Sequence, residues 1–358
     1  MKILDRYIIL KFLATFFLSI VLILMIVVVF DISEHMEDFL LKKPPLKEII
    51  FGYYFNYIPF MANFFSPLFT FIAVIYFTSR MAYQSEIISI LGSGISFRRM
   101  LFPYMMAASL IAGLSLYFNH FIIPKSNSIR LAFEEKYIRN PYENKEKNIH
   151  RQISPGNYIY VNSYNHRMQT GYQFSFEKIS NGERSFYLRA DKVSWDSIGN
   201  RWSLENYFVR SINGMKEHIV MGAKLDTALN FLPSEFGVRG TKIESMQTPE
   251  LIKYIDEETL KGSSLIPVYE SEKHWRTAFP FATFVLTLIG VSVASRKVRG
   301  GIGWHIGVGL LISFSYILFM RVSTTFAING GMPPAIAVWA PNILFSILAL
   351  FMLKTAPK

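Results

Sequence analysis

"FLATFFLSIVLILMIVVVF", residues 12–30, is a run of nineteen residues without a charged side chain. A helix that crosses the hydrocarbon core of a bilayer needs about 20 predominantly apolar residues, so this run predicts a transmembrane helix. Because the run is long and no small-residue cleavage site follows it, we expect a retained helix rather than a signal peptide. Similar uncharged stretches recur along the chain. The sequence therefore predicts six transmembrane helices, at about 10–30, 58–80, 100–122, 277–295, 303–325 and 334–353.

The composition of this 358-residue chain is also typical of a membrane protein, since 51% of the residues are hydrophobic and the charged residues are clustered. The net charge of +11 would suggest a nucleic-acid partner, but residues 125–272 contain 20 Lys and Arg against 19 Asp and Glu. The positive charge therefore flanks the apolar stretches, and we expect no nucleic-acid partner. Because the chain has no cysteine, it can form neither a disulfide nor a thiolate metal site.

Lysine and arginine residues near the ends of the apolar stretches predict the orientation, because short cytoplasmic loops collect these residues. They all fall on one side of the membrane when both termini are cytoplasmic. The loop 31–50 then lies on the opposite side, where it holds more acidic than basic residues. The polar region from about 125 to 272 lies on that same, non-cytoplasmic side. The residues that set this orientation are Lys2, Arg6, Lys11, Arg80, Arg98, Arg99, Arg296, Lys297, Arg299, Lys354 and Lys358.

This polar region separates three predicted spans from three others. Its first part, residues 126–139, is compatible with a helix that extends the third span. Beyond it, short segments rich in aromatic and β-branched residues are separated by the turn signals SPGN, SNGE, SIGN and INGM. Such spacing is typical of an all-β sandwich or jelly roll.

Two segments of the insert predict more detail. In RWSLENYFVRSI, residues 201–212, alternation with a period of two places four apolar side chains on one face. These are Trp202, Leu204, Phe208 and Ile212. After the strands, TPELIKYIDEETLKG predicts a helix with Thr248 as its N-cap and Gly262 just past its end.

The sequence contains no motif for catalysis. It has no GxxxxGK[ST] phosphate-binding loop, and neither HExxH nor GxSxG occurs. The seven histidines are scattered rather than grouped with other metal-ligating residues. We therefore predict that the chain is not an enzyme and has no catalytic site, no metal site and no cofactor of its own.

Polar residues at membrane depth are more informative, because a buried guanidinium is costly unless it finds a partner or reaches the interface. Arg321 lies in the outer part of the fifth predicted span, between two uncharged runs. It would serve either as an interfacial anchor or as a contact to an anionic lipid head group, since its planar fork matches phosphate. The same alternatives, and that of a solvated loop, apply to Asp31 and Lys42 at the outer end of the first span.

"YQSEIISILGSGISFRRM", residues 83–100, joins the second and third predicted spans on the cytoplasmic side. On a helical wheel its serines and Glu86 share one face, and its isoleucines and Leu91 share the other. Gly92 and Gly94 break this helix before Arg98 and Arg99 anchor the third span. The segment is either a simple amphipathic connector or a coupling helix that docks on a cytoplasmic motor. The isoleucines assigned to the apolar face are Ile87, Ile88 and Ile90.

Together these features resemble the lipopolysaccharide export permease family (LptF/LptG, also called YjgP/YjgQ). The resemblance covers nearly the whole chain, including the three-plus-three arrangement and the β insert. The N-terminal LDRYI looks more like the G-type than the F-type subunit. The matching motifs are LDRYI (4–8), SEIISILGSGISFRRM (85–100), MQTPELIKYI (246–255), HWRTAFPFATFVLTLIGV (274–291) and GMPPAIAVWAPNILF (331–345).

The resemblance implies a half-transporter of an ABC exporter in the inner membrane of a Gram-negative bacterium. Two such LptF/LptG-type permeases would pair, and an LptB-type cytoplasmic ATPase dimer would hold ATP and Mg. Lipopolysaccharide would enter between helices 1 and 5 and pass to LptC/LptA-type periplasmic jellyroll proteins. The implied divisions are spans 1–3 in residues 1–124, a periplasmic β-jellyroll domain in 125–272, and spans 4–6 in 273–358.

The resemblance also implies roles for individual residues. Residues 84–94 match the family's coupling helix, and Glu86 occupies its acidic position. Within that helix, Ser85, Ser89, Ile90 and Gly94 are the further predicted ATPase contacts. Inside the β domain, Trp202, Leu204 and Phe208 would either shelter acyl chains or form the core, which is the preferred interpretation for Trp202. The first span ends in acidic FDISEHMEDF, which departs from a basic head-group site.

Two other functions fit parts of the pattern. An ABC permease for a different lipid or a lipoprotein would keep the coupling helix and change only the cargo. A membrane-anchored sensor would use the β domain to bind a ligand outside. A sensor usually has a sizeable cytoplasmic output domain, whereas the predicted cytoplasmic parts of this chain are short loops and tails.

Overall fold

The computed structural model describes residues 3–138, 147–180, 182–214, 216–236, 240–295 and 301–354. Within them, six helices are long and apolar enough to cross a membrane, which confirms the six predicted spans. The basic residues Arg296, Lys297 and Arg299, which helped to predict the orientation, lie outside the described residues, as do residues 1–2 and 355–358. The six spans are Ile3–Glu34, Glu48–Tyr83, Phe97–Tyr137, Ile266–Ala294, Gly307–Ile328 and Pro334–Lys354.

The second and third spans are longer than their apolar runs because π-helical turns join shorter helices end to end. The turn Glu48–Tyr54 leads into the second span, and Phe118–Ile122 carries the third span on to Tyr137. The predicted helical extension after the third span is therefore confirmed. The α-helices are α1 (Ile3–Glu34), α2 (Met36–Lys42), α3 (Phe55–Tyr83), α4 (Glu86–Gly92), α5 (Phe97–Tyr117), α6 (Ile123–Tyr137), α7 (Thr248–Leu260), α8 (Ile266–Ala294), α9 (Gly301–Ile328) and α10 (Pro334–Lys354).

The chain divides into two compact units. The first, the helical unit, comprises Met1–Ile138, Ile243–Leu251 and Pro267–Lys358. The second, the β unit, comprises Arg139–Lys242 and Ile252–Ile266. The predicted periplasmic domain of residues 125–272 stays a prediction, and the β unit is the compact part within that range.

Two large apolar clusters lie within the described part of the helical unit. In the first, side chains of α1, α3 and α5 surround Phe12, Phe77 and Tyr104. In the second, α3 meets α8, α9 and α10 around Phe71 and Tyr316. The close approach of α3 and α8 depends on a glycine, because a Cβ atom at Gly290 would lie 2.9 Å from a methyl group of Val74. Small residues of this kind allow membrane helices to pack closely.

The β unit contains one antiparallel sheet whose six strands are joined in chain order, β1 to β6. This confirms the predicted all-β insert. The order is that of a simple meander in the described residues. The strands are β1 (Lys147–Ser154), β2 (Asn157–Asn165), β3 (Thr170–Ser180), β4 (Glu183–Asp196), β5 (Arg201–Asn213) and β6 (Lys216–Thr227).

In each of the strands β2 to β5, the alternation of buried and exposed residues is interrupted once, so that two buried or partly buried positions lie three residues apart instead of two. In β4, Ala190 and Val193 are both fully buried, although they are three positions apart rather than two. In β2, Val161 and Tyr164 show the same spacing. Because neighbouring strands are interrupted at paired positions, the register of residue pairs is the same before and after the interruption. Ala190 still pairs with Tyr207, and Val193 still pairs with Leu204.

A line of polar residues marks the level of the interruption, and we call it the polar row. Three of its members have positive φ angles, which L residues rarely adopt: Asn148 at 57°, Gln173 at 54° and Asn206 at 53°. Their side chains also bond across the strands. The Asn162 amide donates to Gln173 at 2.8 Å, and Asn206 donates to Asp191 at 3.2 Å. The polar row therefore re-aims the side chains of each strand, as a β-bulge does, without breaking the register.

The inner face of the sheet is apolar and is covered by the segment that follows β6. Trp202 is fully buried there, and its indole N–H donates to the carbonyl of Phe231 at 3.0 Å. Phe236, from the same segment, stacks on Tyr164 with ring centroids 4.5 Å apart. Burial raises the pKa of the Tyr164 hydroxyl above its usual value. A buried ion pair between Arg151 and Glu258, 2.6 Å apart, joins β1 to the end of α7.

Candidate coupling and lipid-contact sites

Helix α4 is the short helix predicted between the second and third spans. Ile87 is only 1% exposed and packs into the cluster formed by α1, α3 and α5. Ile90 and Leu91, one turn later, pack against the same cluster. Ile88 is 57% exposed, so its predicted place on the apolar face is wrong. Successive residues of a helix are 100° apart, so Ile88 projects away from the buried face formed by Ile87 and Leu91.

Left-handed backbone conformations flank α4 at both ends. Ser85, at the N-cap, has φ 63° and ψ 11°, and Gly94 has φ 84°. The Ser89 hydroxyl donates back to the Ser85 carbonyl at 3.1 Å. Two residues after Gly94, Ser96 caps α5 by accepting a hydrogen bond from the backbone of Arg99. These four residues fix the angle at which α4 leaves α3 and meets α5.

Glu86 contacts the beginning of α1. The Tyr7 hydroxyl donates to Glu86 Oε2 at 3.2 Å, and the Tyr7 ring meets Phe77 edge to face. Nearby, Arg99 forms a two-pronged ion pair with Asp5, with N···O distances of 2.7 and 2.8 Å. The first two turns of α1 are therefore bonded to both α4 and α5.

Sequence reasoning missed Asp5 and Tyr7 as members of this site. Both lie in the LDRYI motif, but their partners are 94 and 79 residues away in the chain. Local periodicity carries no information about contacts at such separations. The sequence marked both residues only as members of the LDRYI motif, and it assigned no contact to either.

At the other end of α1, Asp31 is buried. Its carboxylate accepts hydrogen bonds from the Tyr53 hydroxyl at 3.1 Å and from the Tyr54 hydroxyl at 3.0 Å. The π-helical turn Glu48–Tyr54 brings these two tyrosines to it. Asp31 therefore fixes the end of α1, and its lipid contact stays a prediction. Lys42, on α2, is exposed, and its Nζ lies 3.8 Å from Oδ1 of Asp38.

Arg321 and Arg130 have contrasting surroundings. Arg130 is buried and ion-paired with Glu134, and its guanidinium lies over the ring of Phe60. Arg321 is exposed, and its guanidinium lies 5.9 Å from the ring centroid of Phe64. Among the described residues, no carboxylate lies within ion-pair distance of Arg321. Of these two arginines, Arg321 is thus the one available to an external anion such as phosphate.

The three lipid candidates in β5 do not share one face. Trp202 and Leu204 are fully buried on the inner face. Phe208 lies beyond the polar row and faces the other way, where its ring meets Tyr187 at 6.4 Å. The predicted common face is wrong because Asn206 shifts the alternation by one residue. The structure favours the core interpretation for Trp202, and acyl-chain contacts stay predictions.

A buried arginine at the start of α8 was also missed. Arg276, in the HWRTAF motif, donates to the carbonyls of Met246 at 2.8 Å and Ile243 at 2.9 Å. It also contacts Thr248, the first residue of α7, at 3.4 Å. Thr248 was predicted as the N-cap, but in the structure it is the first residue of the helix itself. Arg276 thus ties the segment that returns from the β unit to a membrane helix.

Comparison with known proteins gives one strong match. The family model described as lipopolysaccharide export system permease LptF/LptG matches residues 6–355, which is essentially the whole chain. No curated protein matches the chain. The family model covers both subunit types, so the G-type assignment stays a prediction.

Proposed function

Because the chain belongs to the LptF/LptG family of lipopolysaccharide export permeases, we propose that it is one membrane subunit of an ABC exporter driven by a separate ATPase. It is a multi-pass inner-membrane permease subunit rather than an enzyme. In the proposed transport pathway, lipopolysaccharide leaves the inner membrane through the helical unit and passes through the β unit toward the outer membrane.

The observation that carries the proposal is the construction of α4. One side of this helix is anchored in the apolar cluster by Ile87, and the other presents Ile88 and Ser89 to solvent. An exposed apolar side chain beside polar ones suits a helix that docks in a groove of another protein. Since the sequence has no phosphate-binding loop, ATP and Mg would be held by an LptB-type ATPase dimer docked on this surface.

The proposed orientation places both termini and α4 in the cytoplasm and the β unit in the periplasm. A second LptF/LptG-type permease would complete the membrane channel, and LptC/LptA-type jellyroll proteins would receive the lipid. Arg321 would meet a phosphate of the head group, because its guanidinium has no carboxylate partner among the described residues. Acyl chains would contact the apolar inner face of the sheet at its partly buried side chains, such as Tyr207 and Val209. They would not reach Trp202 and Leu204, because these two are enclosed in the core.

The ATPase partnership is tested by co-purification of candidate cytoplasmic ATPases with the detergent-solubilised permease. We expect the wild type to retain the ATPase and Glu86→Lys to lose it. Glu37→Lys is the matched control, because Glu37 is an exposed glutamate of α2. If the wild type retains no ATPase, the coupling assignment is wrong. If Glu86→Lys still retains it, Glu86 is not a principal contact.

The cargo is tested by photo-crosslinking in cells from position 321 and from position 209, a partly buried residue of the inner face. Lipopolysaccharide should label at both positions, and exposed Ile198 in the β4–β5 turn provides a control position that should not label. Labelling by phospholipid or a lipoprotein alone would favour a permease for that other cargo. Labelling by a soluble ligand at position 209, without lipid at 321, would favour the sensor.

A further inference from the structure

We propose that Tyr7 is a positioning residue of the coupling site, and that α1 is the helix to which movement of α4 is delivered. This inference rests on the proposed function, since it requires an ATPase that moves α4. It assigns to the N-terminal LDRYI motif a mechanical role in transport. The contact that carries it is the hydrogen bond from Tyr7 to Glu86.

The polar contacts of α4 differ in their reach. The hydroxyls of Ser89 and Ser93 donate to carbonyls within the same turn of chain, at Ser85 and Ile90. The carboxylate of Glu86 instead accepts its hydrogen bond from a different helix. A force applied to α4 would therefore pass to α1 through Glu86, in addition to passing along the chain to α3 and α5.

The ion pair between Arg99 and Asp5 determines how α1 would respond to a pull on Tyr7. Asp5 is only 2% exposed, and both of its oxygens accept from the guanidinium at the start of α5. At 3.6 residues per turn, Asp5 and Tyr7 project about 200° apart around the axis of α1. Because Arg99 holds one side of α1, a displacement of α4 that acts on the nearly opposite side through Tyr7 would turn α1 about its axis.

The length of α1 carries this constraint across the membrane. Its 32 residues span roughly 48 Å at 1.5 Å per residue. Above the bonded turns, α1 exposes apolar side chains along the membrane, among them Leu18, Leu22 and Met25. A rotation of α1 at its cytoplasmic end would re-aim this apolar surface at membrane depth. Movement of α4 would thus change the surface that α1 presents to lipid.

Tyr7→Phe tests the inference because it removes the hydroxyl and keeps the ring on Phe77. The wild type and variant are reconstituted with the co-purifying ATPase and the partner permease in vesicles that contain lipopolysaccharide. We expect the variant to retain the ATPase but to extract less lipid per ATP hydrolysed. The expected loss is about three- to tenfold, the equilibrium shift for a hydrogen bond of ordinary net strength, because this bond is exposed to solvent. Tyr83→Phe, at a 66% exposed tyrosine just before α4, should leave the ratio unchanged.

A spectroscopic measurement separates positioning from general weakening. Because the chain has no cysteine, Leu18→Cys provides a single spin-label site on α1. ATP should change the mobility of this label in the wild-type background and not in Tyr7→Phe. In a Glu86→Gln background, adding Tyr7→Phe should have little further effect, since both changes weaken the same bond.

The possible results distinguish this inference from the proposed function. If the wild-type complex extracts no lipid with ATP, the proposed function fails whatever Tyr7 does. If the wild type extracts lipid and folded Tyr7→Phe keeps the ATP-dependent label change, only the inference is overturned. Failure of both variants to fold would make the bond a structural one and would overturn the inference as well.

Discussion

Replacing Arg276 with alanine should free the segment that leads from the β strands to α7. The guanidinium is 2% exposed and donates to the carbonyls of Ile243 and Met246. A hydrogen bond that involves a charged group contributes about 1.5 kcal/mol at the low end, so two of them contribute about 3 kcal/mol. Since 1.4 kcal/mol is a factor of ten, opening of this segment should become about a hundredfold more frequent.

Hydrogen exchange measures this opening directly in the solubilised full-length protein. The backbone amide of Met246, which bonds to the carbonyl of Ile243, should exchange about a hundredfold faster in Arg276→Ala. Arg276→Lys should recover part of the protection, because its ammonium keeps the charge without the fork. Lys253→Ala, at an exposed position of α7, is the control and should change nothing. Exchange at Met246 within about threefold of the wild type would refute the reasoning.

Three further variants test the backbone and the buried carboxylate. Ser85→Val should lower the free energy of unfolding by about 1–2 kcal/mol because of the left-handed conformation, whereas Ser85→Gly should not; equal effects would contradict the strain. Asn206→Val should destabilise the β unit by about 1–2 kcal/mol, and Asn206→Gly should destabilise it much less, as measured by hydrogen exchange of β5 amides. A larger effect of glycine than of valine would contradict the role of the positive φ angle. Asp31→Ala should lower the thermal midpoint more than Asp38→Ala, because it leaves two tyrosine hydroxyls without their acceptor; an equal shift would count against the buried bonds.

The number of spans was predictable from the sequence because it depends on composition over about 20 residues at a time. Uncharged runs locate the helices however they pack. Their ends were not predictable to the residue, because polar segments such as α6 continue the helix after the apolar run stops. The π-helical turn at Phe118–Ile122 leaves no signature in hydropathy and appears only in the backbone.

The β insert was predictable as a class, and its faces were not. Turn signals and β-branched residues indicated strands, but strict alternation wrongly placed Phe208 beside Trp202. The error arises at Asn206, whose positive φ shifts the alternation. A polar residue in the middle of a strand was the visible clue, although the same residue on a solvent face would look identical in the sequence.

The candidate site divides in the same way. Glu86 and α4 were predictable because an amphipathic segment between two spans is a local pattern. Tyr7, Asp5 and Arg276 were not, since each acts through a partner that only the fold brings near. Ile88 shows that even the local pattern has a limit, because a short helix lets a side chain at 100° from the buried face point outward.

The central claim is that α4, with Glu86, couples ATP hydrolysis to the extraction of lipopolysaccharide. Its most direct test is the release of lipopolysaccharide from vesicles that contain the permease pair and its ATPase, with a periplasmic acceptor protein outside. The account predicts release in the wild type only when ATP is hydrolysed, and its loss in Glu86→Lys but not in Glu37→Lys. Release that proceeds without ATP, or that is undiminished in Glu86→Lys, would contradict the account.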